Sequence, residues 1–170
     1  MSKELSRHAM SKGLILGSLI AVNYILSTYL ATSFLSLGVE IVIVYMAYKA
    51  TVDCRENVLD GGISFGRAWW YVINLFLYSS MVAGVVKYVY LKFIRPDYLQ
   101  SLIPQVKAIF DQAHLTGGEM KEVMTGLQEV LTPENMVLYS IMMDIMIGAF
   151  LGLIFALIVK RDETYSHSEE

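Results

Sequence analysis

Three ionisable side chains, Glu40, Lys87 and Asp144, stand inside long apolar runs of this 170-residue chain and are its first candidates for chemistry. A charge at bilayer depth costs roughly 2.5–3.5 kcal/mol on insertion scales, so each needs a partner or a purpose. Asn23 and Asn74 are neutral but polar in the same kind of surroundings. A proton or ion path, or a pocket for a lipid phosphate, would use such groups. The plainer use is polar glue between helices, each bond contributing on the order of 0.6–2 kcal/mol, with Lys87 reaching out to the headgroups on its flexible stem.

Other chemistry has little to stand on. The chain contains no H-E-x-x-H, no G-x-S-x-G and no phosphate-binding glycine loop. His8, His114 and His167 all fall outside the apolar runs and far apart. Cys54 is the only cysteine, which rules out an intrachain disulfide and a cysteine-rich metal site. It falls in a polar loop between Asp53 and Arg55 and reads as an unreactive free thiol. Met142, Met143 and Met146 surround Asp144 without a histidine or cysteine at ligand spacing, so adaptable packing is the expectation and a metal is not. The net charge of −3 argues against a nucleic-acid partner. A non-enzymatic protein without cofactor is expected.

The elements that must carry these residues follow from hydropathy. Hydrophobic residues make up 55% of the chain and charged ones 17%, on the apolar side of soluble norms of roughly 45–50% and 25%. Charges gather in blocks, leaving apolar runs at about 13–32, 34–51, 65–91 and 135–159. Runs of this length predict four transmembrane helices in one membrane domain spanning 1–170, an all-α four-helix bundle. Ala31-Thr32-Ser33 loosely resembles a signal cleavage site, yet the first run exceeds the roughly 7–15 residues of a signal core, so a retained helix is expected. Thr132-Pro133-Glu134 supplies a cap, a first-turn proline and an acid for the last helix.

Between the last two runs, residues 92–134 form the one sizeable extramembrane segment. Leu99, Leu102, Ile103, Val106, Ile109, Phe110 and Ala113 recur at helical spacing, as do Met120, Val123, Met124, Leu127, Val130 and Leu131. Thr116-Gly-Gly-Glu119 has the form of a capping box. Two short amphipathic helices joined at Gly117-Gly118 are predicted, lying on the bilayer, on each other or against a partner.

Charge bias orients the chain. Lys3, Arg7, Lys12, Lys49, Arg55, Arg67, Lys160 and Arg161 share one side; the other has Lys92, Arg95, Lys107 and Lys121 against six acids. The positive-inside rule puts both termini in the cytoplasm and 92–134 outside. Glu40 then lies about two turns below the outer end of its helix and Lys87 about one turn below its own. Similar depth predicts that they pair. Asp144 is roughly 13 Å along the last helix and is expected to face the interior, near Asn23 or a polar group of the third helix. Gly13-x-x-x-Gly17, Ser80-x-x-x-Gly84 and Gly148-x-x-x-Gly152 predict close packing within the bundle, ahead of a dedicated dimer face.

A further pattern begins at Asp60-Gly61-Gly62-Ile63-Ser64-Phe65-Gly66-Arg67-Ala68. Together with Phe93-Ile94-Arg95-Pro96-Asp97-Tyr98-Leu99 and Ile158-Val159-Lys160-Arg161, it resembles the small bacterial four-helix membrane proteins grouped as domain of unknown function 4199. The resemblance covers nearly the whole chain. It implies an inner-membrane location and four spans, brings no catalytic residue, and suggests a lipid-linked glycan pathway as the setting. Physically, the glycines and Ser64 read as a tight turn in which Asp60 or Ser64 caps the third helix, with Phe65 anchoring it at the interface. The leading expectation is an accessory or scaffold subunit surrounded by membrane lipids and bound to a membrane-protein partner or to further copies of itself. The alternative is a small transporter or ion carrier using Glu40, Lys87 and Asp144.

Overall fold

The computed structural model describes residues 3–29, 34–112 and 117–161, with the backbone alone at 110–112, 117 and 119–121. Among the described residues six α-helices follow in order: α1 Lys3–Tyr29, α2 Phe34–Asn57, α3 Phe65–Val89, α4 Tyr98–Gln112, α5 Gly117–Val130 and α6 Pro133–Val159. A π-helical turn, Tyr90–Ile94, prolongs α3. No strand occurs among the described residues. Four helices (α1, α2, α6 and α3 with its π turn) are long and apolar enough to cross a membrane, which makes this a multi-pass membrane protein. The chain is all-α.

The helices outrun the apolar stretches that announced them. α1 begins at Lys3, ten residues ahead of Gly13, and α2 continues to Asn57, so Cys54 lies within a helix and is fully buried. Cys54 is therefore not in a loop. Hydropathy marks where a helix enters lipid; the backbone keeps its hydrogen-bond ladder beyond that level for as long as the side chains find contacts. Thr132 caps α6 by accepting from the Asn135 amide at 3.3 Å, with Pro133 in the first turn. Thr116, and with it the capping box, lies outside the described residues, as do Ala31-Thr32-Ser33, His114 and His167.

Packing centres on α3. Both α1 and α6 run along it, whereas α2 leans mainly on α1 and touches α3 and α6 sparingly. Small residues explain the hierarchy. A methyl group added at Gly17 would come within 2.5 Å of the Ser79 carbonyl oxygen, and one at Gly13 within 2.8 Å of Tyr78. On the other flank, Gly148 sits against Phe76, Gly152 against Trp69 and Val72, and Gly84 against Ile141. Backbones that approach this closely gain dispersion contacts that lipid cannot supply. α2 offers Ala47, Ala50 and Thr51 instead, and every buried residue of α2 lies from Ile43 onward. Its first two turns are open.

The turn between α2 and α3 locks the end of the chain. Asp60 and Gly61 take positive φ, at 52° and 89°, a region that glycine tolerates and aspartate adopts more often than most residues. The chain folds back so that the Gly61 amide donates to the Arg55 carbonyl at 2.9 Å. Ile63, fully buried, then exchanges two backbone hydrogen bonds with Arg161, at 3.1 and 3.0 Å, and Arg55 donates to the Val159 carbonyl at 3.1 Å. Ser64 occupies the cap position of α3 but its hydroxyl makes no capping bond, and Asp60 is spent on the turn. The expectation that either side chain caps α3 is corrected. Phe65 and Gly66 are exposed.

Candidate functional site

Two polar constellations are built where helices converge. The first lies within the spans. Lys87, only 6% exposed, extends from α3 to Ser140 and Asp144 on α6; its ammonium lies 3.3 Å from an Asp144 carboxylate oxygen and donates to the Ser140 hydroxyl. The Tyr24 ring of α1 covers the ammonium, with 5.3 Å from nitrogen to ring centre. An ion pair, a hydroxyl and an aromatic face thus replace the water that Lys87 has lost. Asp144 sits inward against a polar group of α3.

The expected Glu40–Lys87 pair does not form. Glu40 projects from the open first turns of α2 and has no ion-pair partner among the described residues. Depth alone brings two charges level; rotation and packing decide whether they meet. α2 has few contacts with α3, while α6 is pressed onto α3 by Gly148 and Gly152, and this presents Asp144 to Lys87. Asn23 stays away from that pair and accepts from the Ser36 hydroxyl at 3.0 Å, tying α1 to α2. Asn74, 8% exposed, donates to the Trp70 carbonyl of its own helix at 2.8 Å, and Ser80 likewise turns back to Leu77 at 2.9 Å.

The second constellation sits at the end that carries both chain termini. Its hub is Asp53 of α2. One carboxylate oxygen is 2.7 Å from the Lys12 ammonium and 3.1 Å from His8 Nε2, and the other accepts from Asn57 at 2.5 Å. The opposite ring nitrogen of His8, Nδ1, lies 2.9 Å from the hydroxyl of Tyr71, which is fully buried on α3. Three helices are thereby joined through one imidazole. Sequence reasoning missed this cluster because His8 was placed in a leader ahead of the first span. A signal was present: His8 and Lys12 are one helical turn apart, as are Asp53 and Asn57, so the two pairs each share a face if α1 and α2 continue past the lipid.

Beside this hub a cavity of about 450 Å³ opens between α1 and α2, with Lys12, Lys49, Asp53, Glu56 and Asn57 around a floor of Ile15, Leu16, Met46, Ala50, Val52 and Leu75. A second, of about 510 Å³, is lined by His8 itself with Glu4, Arg7, Ser11, Asn57, Val58 and Asp60. At the opposite end, Lys92 pairs with Glu134 at 3.2 Å, and Arg95 stacks over the Tyr29 ring at 5.2 Å. These are aromatic and charged anchors of the kind found at membrane–water interfaces.

Among the described residues no three histidine, cysteine, aspartate or glutamate side chains gather as metal ligands. Searches of curated proteins and of solved structures yield no match. Residues 10–161, all of the helical body just described except the first seven residues of α1, match the family model described as Protein of unknown function (DUF4199), and the chain belongs to that family.

Proposed function

We propose that this chain is a non-enzymatic accessory subunit of an inner-membrane complex, with both termini cytoplasmic, whose outer segment engages a membrane-protein partner. One observation carries the reading. The first turns of α4 pack on the body through Leu99, buried with Tyr90 and Leu91, and through Tyr98 and Leu102 beside it, and α4 further on leans on α5. Apolar side chains remain open on this extramembrane pair, with Ile109 67% and Val130 38% exposed. An apolar face held clear of the spans is an interaction surface. The excess of basic residues at the terminal end supports the orientation, and membrane lipids cover the remaining apolar surface. A photocrosslinking residue at Ile109, in full-length protein within native membranes, should give a discrete adduct with another membrane protein. The same probe at Phe150, on an exposed face of α6, should react with lipid. A chain that purifies as a monomer and crosslinks only to lipid from Ile109 would overturn the proposal.

A second reading, a small ion or proton carrier, is favoured by the Lys87–Asp144 pair, because a buried charge pair across two spans is a feature that ion pathways share. It no longer includes Glu40. In proteoliposomes, Asp144→Asn, which keeps an oxygen acceptor for Lys87 and should fold with reduced stability, should abolish any proton or cation flux. Equal flux in both proteins would discard this reading.

A further inference from the structure

The 450 Å³ cavity between α1 and α2 is amphipathic along the direction of the helices, and its polar rim carries an uneven charge. Lys12 is the last charge before the apolar body of α1, and Lys49 is the first after the apolar body of α2. The mouth therefore sits at headgroup height, while Ile15, Leu16, Met46 and Leu75 form a floor at the level of the hydrocarbon. Of the two acids at the mouth, Asp53 is held by Lys12, His8 and Asn57, and Glu56 is paired with Arg55 at 2.5 Å. Lys49 is exposed and has no ion-pair partner among the described residues. The carboxylates are satisfied and one ammonium is not.

We propose that this cavity binds an anionic glycerophospholipid, whose phosphate lies between Lys49 and the outward protons of Lys12 and whose first acyl methylenes lie on Ile15, Leu16 and Met46. A free phosphate would meet the lysines but leave the apolar floor wet. A zwitterionic lipid would fill the floor but bring its own cation to the rim. Only an anionic amphiphile satisfies both ends. The volume is within the roughly 300–1,000 Å³ range of ligand pockets and suits a head group with the start of a chain.

The test uses the full chain in a non-ionic detergent, with native mass spectrometry reading bound dioctanoyl phosphatidic acid, dioctanoyl phosphatidylcholine and inorganic phosphate. Phosphatidic acid should bind in preference to the other two. Lys49→Gln should weaken it by about fivefold or more, the order expected for one lysine near an anionic headgroup. Ile15→Trp, made at a half-open position, should fill the floor and weaken it without removing charge. Lys160→Gln removes the same charge from an exposed site at the same end but outside the cavity, and should leave binding unchanged. Thermal unfolding of each variant guards against loss of fold. Equal binding of phosphatidylcholine, equal binding of inorganic phosphate, or an equal loss in Lys160→Gln would each overturn the proposal.

Discussion

Asp144 and Lys87 have side chains that are 19% and 7% exposed, and at that burial the pair cannot be treated as ordinary polar glue. A hydrogen bond between spans contributes on the order of 0.6–2 kcal/mol. Removing one member of a buried ion pair strands the other, at a cost of about 3–5 kcal/mol. Asp144→Leu should therefore destabilise the protein by about 3 kcal/mol, well beyond the roughly 1 kcal/mol expected of an isolated polar contact. Adding Lys87→Met should restore most of the loss, since the stranded charge goes with it. Unfolding midpoints in mixed micelles, compared around the double-mutant cycle, give the coupling; purely additive losses would mean that the two residues act independently. Tyr71→Phe addresses the other constellation. It leaves His8 Nδ1 without its partner beside a buried ring, and a loss of about 1–2 kcal/mol is expected.

At the scale of the helix, small residues separate contacts that hold the body together from positions that merely happen to be glycine. Gly17 and Gly38 both lie inside helices, but a methyl at Gly17 meets the Ser79 backbone, whereas one at Gly38 meets nothing within 4 Å. Backbone cannot step aside as a flexible side chain can. Gly17→Ala should push α1 away from α3 and lower stability by about 1–3 kcal/mol. Gly38→Ala should raise it by roughly 0.5–1 kcal/mol through helix propensity alone. Opposite signs from one chemical change, read as shifts in thermal unfolding, are the expected result. α2 stands out among the spans for its open first turns, and Glu40 belongs to that open part. Its position on the sequence promised an interior partner, but the absence of glycine-scale approach between α2 and α3 leaves it outside.

On the scale of the whole molecule, four spans bring both chain ends to one side, where Ile63 and Arg161 pair and Asp53 gathers α1 and α2. α4 and α5 stand at the other end. Reporter fusions placed after Lys160 and at Gly118 should accordingly report opposite compartments, with the fusion after Lys160 cytoplasmic if the basic excess sets the orientation. Activity of both reporters on the same side would contradict the four-span architecture itself. The hub arrangement has a further consequence. Interactions of α1 and α6 with each other run through α3, so lesions at Gly17 and at Gly148, on opposite flanks of α3, should add nearly independently.

Much of this was legible from residue order because the physics involved is local. A run of apolar residues long enough for lipid announces a span wherever it occurs, and Thr132-Pro133 starts α6 by satisfying amides within one turn. The spacing of Gly13 with Gly17, and of Gly148 with Gly152, marks a face that can be approached closely. None of these statements requires knowing what lies across the interface. The partners of Lys87, Glu40, Asn74 and His8 do require it. Lys87 meets Asp144, and not Glu40, because helix rotation about α3 is set by distant glycines. Asn74 turns back on its own helix because its surroundings are apolar. His8 becomes the link between three helices because α1 and α2 extend past the membrane boundary that hydropathy can see. Depth in the bilayer is written along the chain, one residue at a time; azimuth around a helix is decided only when the helices close on one another.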